Sequence, residues 1–250
     1  METKIALCFL TYGNLSQPKL WEKFQNSKYN IYIHNKQQFT GNFQKYCIEN
    51  TIDTEWGHIS IVRATLNLFK TAFENKENKY FILLSDTCIP LYSSDVVYEK
   101  ICSFDNNLLN AWKTDVDDSW HKSRYNSITC KDFFDENDFY GQHQWMVLKR
   151  DTVRFFINND YTHIFRNTIT APDEIYFINI LNKFNISYKS KFVTYVNWDE
   201  ESDLKIYRDK PKTYSKLNDE TIHAILKRDC LFMRKIGPEC ALPSYFDSLK

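Results

Sequence analysis

Glycine is scarce. Five glycines stand in 250 residues, where a usual share of roughly 7% would give about 17. They lie at positions 13, 41, 57, 141 and 237, so neither G-x-G-x-x-G nor G-x-x-x-x-G-K occurs. That excludes a Rossmann dinucleotide loop and a Walker phosphate loop, and collagen-like and low-complexity classes go with them. A C-x-x-C pair is lacking too. The seven cysteines (8, 47, 88, 102, 130, 230 and 240) are odd in number and scattered, which favours reduced thiols over a disulfide framework or a zinc site. Thirty-two basic residues balance thirty-two acidic ones, so no global field draws the chain to nucleic acid or an anionic membrane. The apolar run Ile5 to Leu10 is too short for a signal-peptide core or a membrane span. These absences lead to the expectation of a soluble, cytoplasmic protein with no membrane span and no nucleic-acid partner.

What is present is an alternation of strand and helix patterns. Lys4 to Thr11 and Tyr80 to Ser85 are continuous apolar runs that read as buried strands, and Tyr29 to His34 is a shorter one. Ser16 to Phe24 is expected to be a short helix with Pro18 in its first turn. Ile59, Val62, Leu66, Phe69 and Phe73 recur at spacings of three and four, predicting an amphipathic helix over His58 to Phe73. Further helices are expected at Ser93 to Cys102, Asp151 to Asn158, Thr170 to Phe184 and Asn218 to Arg228. Strands are expected at Leu108 to Lys113, Trp145 to Leu148 and Phe192 to Trp198, with a final extended piece from Cys230 to Ile236. Residues 114–144 show no period and read as a long polar and aromatic loop, of the kind that is functional or mobile. The whole predicts one α/β domain over 1–250 with a mostly parallel central sheet flanked by helices. No linker or internal repeat divides it.

Ligands of open α/β sheets sit at the carboxyl ends of strands, which singles out Thr11, His34 and the group from Ser85 to Cys88. Asp86 follows the strongest strand, where sugar-nucleotide transferases often carry Asp-x-Asp to hold a divalent cation. The second carboxylate is replaced here by Cys88, a poor ligand for a hard cation. A lone Asp86 at a strand end is more often a turn or cap residue. Asp115 and Asp117 form another Asp-x-Asp, with Asp118 and His121 close by, but they follow no strong strand and fit no specific ligand pattern. They are either an acidic loop or the metal site of a cation-dependent enzyme.

The run from Thr54 to Leu66 and the run from Phe81 to Leu91 together resemble the core-2/I-branching N-acetylglucosaminyltransferase family, glycosyltransferase family 14. The form of the second run is similar to its plant and viral branch. Arg124 with Tyr125, Gly141 with Gln144 and Trp145, Pro172 with Asp173 and Glu174, Val196 with Trp198, Pro211 to Thr213 and Leu231 to Lys235 occur in the family's order. Each motif alone is weak; in register they span residues 4–237.

The resemblance implies a GT-A-type nucleotide-sugar transferase fold, with the donor-binding part in about 1–113 and the acceptor and catalytic part in about 114–250. It also implies an inverting transfer from a UDP-sugar donor to a hydroxyl of a glycan or glycoconjugate acceptor. N-acetylglucosamine and xylose are the foremost sugars. Inversion needs one general base to take the acceptor proton, and Glu174 matches the family's position for it. The core-2 type needs no cation and places two basic side chains on the diphosphate. Lys235 matches one, and Lys212 stands where the family has an arginine, which keeps the charge but loses the bidentate fork. With Thr11, His34, Arg63, Asp86 and Arg234 these form the expected donor site; Arg124, Tyr125, Trp145 and Trp198 form the expected acceptor site. No cofactor and no metal ion are expected. The alternatives are a metal-dependent transferase using Asp115 and Asp117, or an inactive carbohydrate- or nucleotide-binding module.

Overall fold

The structure is a computed structural model that describes residues 3–129, 131–166, 171–198 and 210–249. The apolar runs become the centre of a six-stranded sheet. β1 (Lys4–Thr11) pairs in parallel with β2 (Tyr29–Asn35) and with β3 (Asn78–Ser85). β6 (Tyr140–Lys149) is antiparallel to β3 and to β5 (Asn107–Lys113), and β7 (Tyr188–Ser190) lies parallel to β5. The strand order is β2-β1-β3-β6-β5-β7. β1 and β3 are buried almost throughout, which is why they read as unbroken apolar runs: a strand covered on both faces has no polar side to alternate with.

Helices cover the sheet. α1 (Pro18–Phe24) uses Pro18 at its start, where the missing N–H is not needed. α2 (Ser60–Phe73) buries Val62, Thr65, Leu68, Phe69 and Ala72, while Leu66 and Phe73 are half-buried. The expected stripe is therefore rotated slightly toward smaller residues. Burying one such large apolar side chain contributes roughly 1.5–3 kcal/mol. α3 (Ser94–Phe104) and α5 (Arg150–Asn158) follow the expected positions within a residue or two. The expected α/β architecture, a mostly parallel sheet flanked by helices, is the one the chain adopts.

A smaller sheet packs beside the main one. In it β10 (Phe232–Arg234) lies between β4 (Ile89–Pro90) and β8 (Thr194–Val196). β11 (Ile236–Ala241) pairs with β9 (Tyr214–Lys216), and α7 (Asp219–Leu226), capped by the Asn218 side chain, closes over this part. Trp21 links the two regions by stacking on Phe232 and donating its indole N–H to the Cys88 carbonyl at 3.1 Å.

Four expectations are corrected. Residues 114–144 are not a loop: they hold α4 (Ser119–Tyr125), two short 3-10 turns and the first residues of β6. The buried face of α4 is His121, Arg124 and Tyr125, so no apolar period announced it; Asp118 caps it through Trp120 N–H at 3.0 Å. The helix expected from Thr170 instead begins as a 3-10 turn, Pro172–Glu174. It breaks at Ile175, and α6 runs from Tyr176 to Lys183; Thr170 itself lies outside the described residues. The strand expected over Phe192 to Trp198 is only β8, and the final extended piece is two strands joined at Lys235. The six described cysteines are free; Cys130 lies outside the described residues.

Candidate active site

β1, β2, β3 and β5 end on one edge of the main sheet, and β6 starts there. Glu174 reaches this region from the 3-10 turn before α6. Pro172 opens the turn, and Ala171 before it sits in the left-handed region (φ 53°). The Ala171 N–H donates to the Gly57 carbonyl at 3.0 Å, so the turn is tied to the segment that leads into α2. Gly57 accepts this geometry with φ 74°, a value at which a side chain would be strained.

Arg124, from α4, donates from Nη2 to Glu174 Oε2 at 3.2 Å, and its guanidinium stacks over the Trp120 ring at 3.8 Å. Arg124 is largely buried and Glu174 half-buried. Burial pushes the Glu174 carboxyl above the ordinary range, and Arg124 pulls it back. The segment at Glu174 is a 3-10 turn rather than an α-helix, and Arg124 supplies the counter-charge. A half-desolvated carboxylate held by one arginine retains a free lone pair and a raised basicity, which suits proton abstraction.

A second group lies beside it. Arg234, at the end of β10, stacks over Trp145 at 4.3 Å, and its buried Nε has no partner. Burial lowers the pKa of Arg234, opposed by Cys88, Asp86 and Asp173. Burial and then Arg234 hold the Lys235 ammonium below its usual pKa, while Asp86 works the other way. Asp86 accepts the Tyr12 N–H at 3.1 Å, so it fastens the ends of β1 and β3 and faces the cations. Cys88 is turned away into the core, its sulfur within 3.3 Å of the Ser85 N–H. Two adjacent cations facing so little negative charge make a receptive place for an anion.

Asp173 is buried next to Glu174 with Oδ1 unpartnered. Burial first, and the Glu174 charge second, raise its pKa from 3.8 to about 7. The folded state thus holds a proton that the unfolded chain releases, so stability falls as pH rises from about 4 to about 7, by on the order of a few kcal/mol. Denaturant titrations at pH 5 and pH 8 are expected to show this loss in the wild type and not in Asp173→Asn. An equal loss in both would remove Asp173 as its source.

With this geometry in view, the comparisons are specific. The family model described as Core-2/I-Branching enzyme matches residues 5–226. The chain belongs to the core-2/I-branching enzyme family. Its curated relative in rice (Oryza sativa subsp. japonica), glycosyltransferase BC10, is 23% identical over 169 residues, covering 63% of this chain and 41% of that protein. The chain thus matches less than half the length of that relative. Among solved structures, the WbbM bifunctional glycosyltransferase in its apo form matches with a TM-score of 0.41 and 8% identity, over 94% of this chain and 46% of that one.

As a glycosyltransferase-family domain the chain assigns its other expected residues unevenly. Trp145 is buried beneath Arg234, and Trp198, 46% exposed, follows β8. Lys212 lies over the Tyr214 ring at 5.4 Å, and its backbone N–H bonds to Asn197. Arg63 is exposed on the first turn of α2, with Nε 3.5 Å from the Thr162 hydroxyl. Thr11 is buried and donates to the His34 carbonyl. Burial and local contacts set several of these residues apart. His34 is 1% exposed and its Nε2 accepts the Ile52 N–H at 2.8 Å, so it fixes the loop after β2 and offers no surface to a nucleotide. Tyr125 is buried against His121 and Phe139, with its hydroxyl bonded to the Phe134 carbonyl, so it supports the site from behind. Asp115 accepts the Asp117 N–H, Asp117 pairs with Lys122 at the surface, and Asp118 caps α4; all three take part in the turn that leads into α4. Among the described residues no three His, Cys, Asp or Glu side chains are grouped to hold a metal ion, and no helix is long and apolar enough to cross a membrane.

One residue at the site escaped sequence reasoning. Trp120 lies one helical turn before Arg124, and that i, i+4 spacing is a usable signal once the segment is read as a helix. Tyr12, 61% exposed just after β1, lies at the strand end that the sequence marks.

Proposed function

We propose that the chain transfers a sugar, N-acetylglucosamine or xylose foremost, from a UDP-sugar to a hydroxyl of a glycan acceptor, with inversion and without a metal ion. The observation that carries this reading is a half-buried, arginine-held carboxylate, Glu174, whose neighbour Asp173 feels the charge of Arg234, with Lys235 following Arg234 in the chain. In a direct displacement the acceptor oxygen attacks the anomeric carbon while the bond to the diphosphate breaks. Glu174 takes the acceptor proton, and Arg234 and Lys235, with Lys212 beyond them, meet the charge that grows on the leaving UDP. Arg124 keeps Glu174 ionised and oriented. Trp198 offers an aromatic face to the acceptor sugar.

The test is release of UDP from a panel of UDP-sugars in EDTA, with the product anomer read by NMR. Turnover that survives EDTA and inverts the anomeric centre is expected for one donor. Strict dependence on Mn²⁺ would remove the metal-free mechanism, and retention of configuration would remove the single-base one.

A further inference from the structure

Next to the proposed site runs a row of aromatic rings that the chemistry above does not use. Trp120, which carries Arg124, packs against Trp112 with ring centroids 5.8 Å apart. Trp112 meets His143 at 5.5 Å, and His143 meets Phe192 at 5.3 Å. Trp112 is 40% exposed and Phe192 48%, although both lie on or beside the sheet. In the register of β5 and β6, Trp112 stands opposite Gly141. A Cβ at residue 141 would sit 2.6 Å from the Trp112 ring and 2.8 Å from Trp120, so only glycine lets both indoles close onto the strand. Exposed rings assembled this closely cost solvation unless something covers them.

We propose that this row is an extended acceptor subsite that binds the sugar units beyond the one that reacts, so that the preferred acceptor is an oligosaccharide. The inference rests on the transferase reading above. The row is continuous with the reacting carboxylate: Glu174 holds Arg124 at 3.2 Å, Arg124 stacks on Trp120 at 3.8 Å, and the rings follow from there. Flat apolar rings match the C–H faces of pyranoses, and polar groups among them read hydroxyls. His143 supplies one such group. Burial lowers its pKa, so near neutral pH it is an uncharged imidazole with one donor and one acceptor. A protein partner would call for a broader apolar surface than one line of rings.

The test is fluorescence and calorimetric titration with graded gluco-, chito-, galacto- and manno-oligosaccharides of one to five units, on the wild type, Trp112→Ala and Phe192→Ala. In one series the wild type is expected to gain about tenfold in affinity from mono- to trisaccharide. Each replacement should erase most of that gain and leave UDP binding unchanged. Phe192→Ala guards against a folding defect in Trp112→Ala, and UDP binding reports the fold of both. Absence of a length-dependent gain in every series overturns the proposal, as does a gain that survives both replacements. A concentration-dependent dimer abolished by the same replacements overturns it as well. Since UDP binding is read separately, loss of it in the wild type would count against the transferase reading rather than the subsite.

Discussion

Replacing Glu174 by Gln is expected to lower turnover by about 10²–10⁴-fold, the range usual for loss of a general base, while the Kd for UDP changes little. The substitution is nearly isosteric, and its amide oxygen can still accept from Arg124 Nη2, so the turn from Pro172 to Glu174 keeps its shape. What disappears is the ability to take a proton. Single-turnover transfer and UDP calorimetry on the same preparation separate the two effects, and unchanged transfer would end the assignment of Glu174. The pH profile adds an independent sign. Glu174 must be ionised to act, and burial raises its pKa, so kcat/KM should fall on the acid side at a pH above that of an ordinary carboxylate. Arg124→Met removes the group that pulls this pKa down and leaves the burial, so the acid limb should move to higher pH. A limb that moves lower, or stays in place, would disconnect Arg124 from the base.

The second large effect is expected on the donor. Charge-assisted bonds contribute about 1.5–3 kcal/mol each, so Lys235→Ala and Arg234→Met should each weaken UDP binding about 10–150-fold. Uridine, which lacks the diphosphate, should feel neither change. The two variants differ in one respect. Arg234 also lies over Trp145, so its removal uncovers an indole and should shift tryptophan emission, whereas Lys235→Ala should not. Lys212→Ala is the informative companion, because its ammonium lies over Tyr214; a loss comparable to that of Lys235 would place both lysines on the phosphates. Equal loss of uridine and UDP affinity in Lys235→Ala would move Lys235 away from the diphosphate.

Residues that bury apolar surface were legible in the chain, and those that bury polar groups were not. The strands β1 and β3 and the helix α2 showed themselves because water-avoiding side chains must recur with the period of the element. α4 stayed hidden because its inner face is His121, Arg124 and Tyr125, held by stacking and a salt bridge to a residue fifty positions later. The first half of β6 hid for a similar reason: Gln142 is buried with its amide oxygen on the Ile178 N–H at 2.6 Å. The family motifs marked Glu174, Arg124 and Lys235 as a set, without saying that the first two form a pair.

By itself, then, the sequence determined the layered α/β class and the family. Its five glycines form no glycine-rich phosphate loop. Only the tertiary structure decided which charges meet: Arg124 on Glu174, Asp86 beside Lys235, and Asp115 and Asp117 taken up by a turn. Burial and apolar period are properties of short segments, whereas the pairing of buried charges depends on where distant segments come to rest.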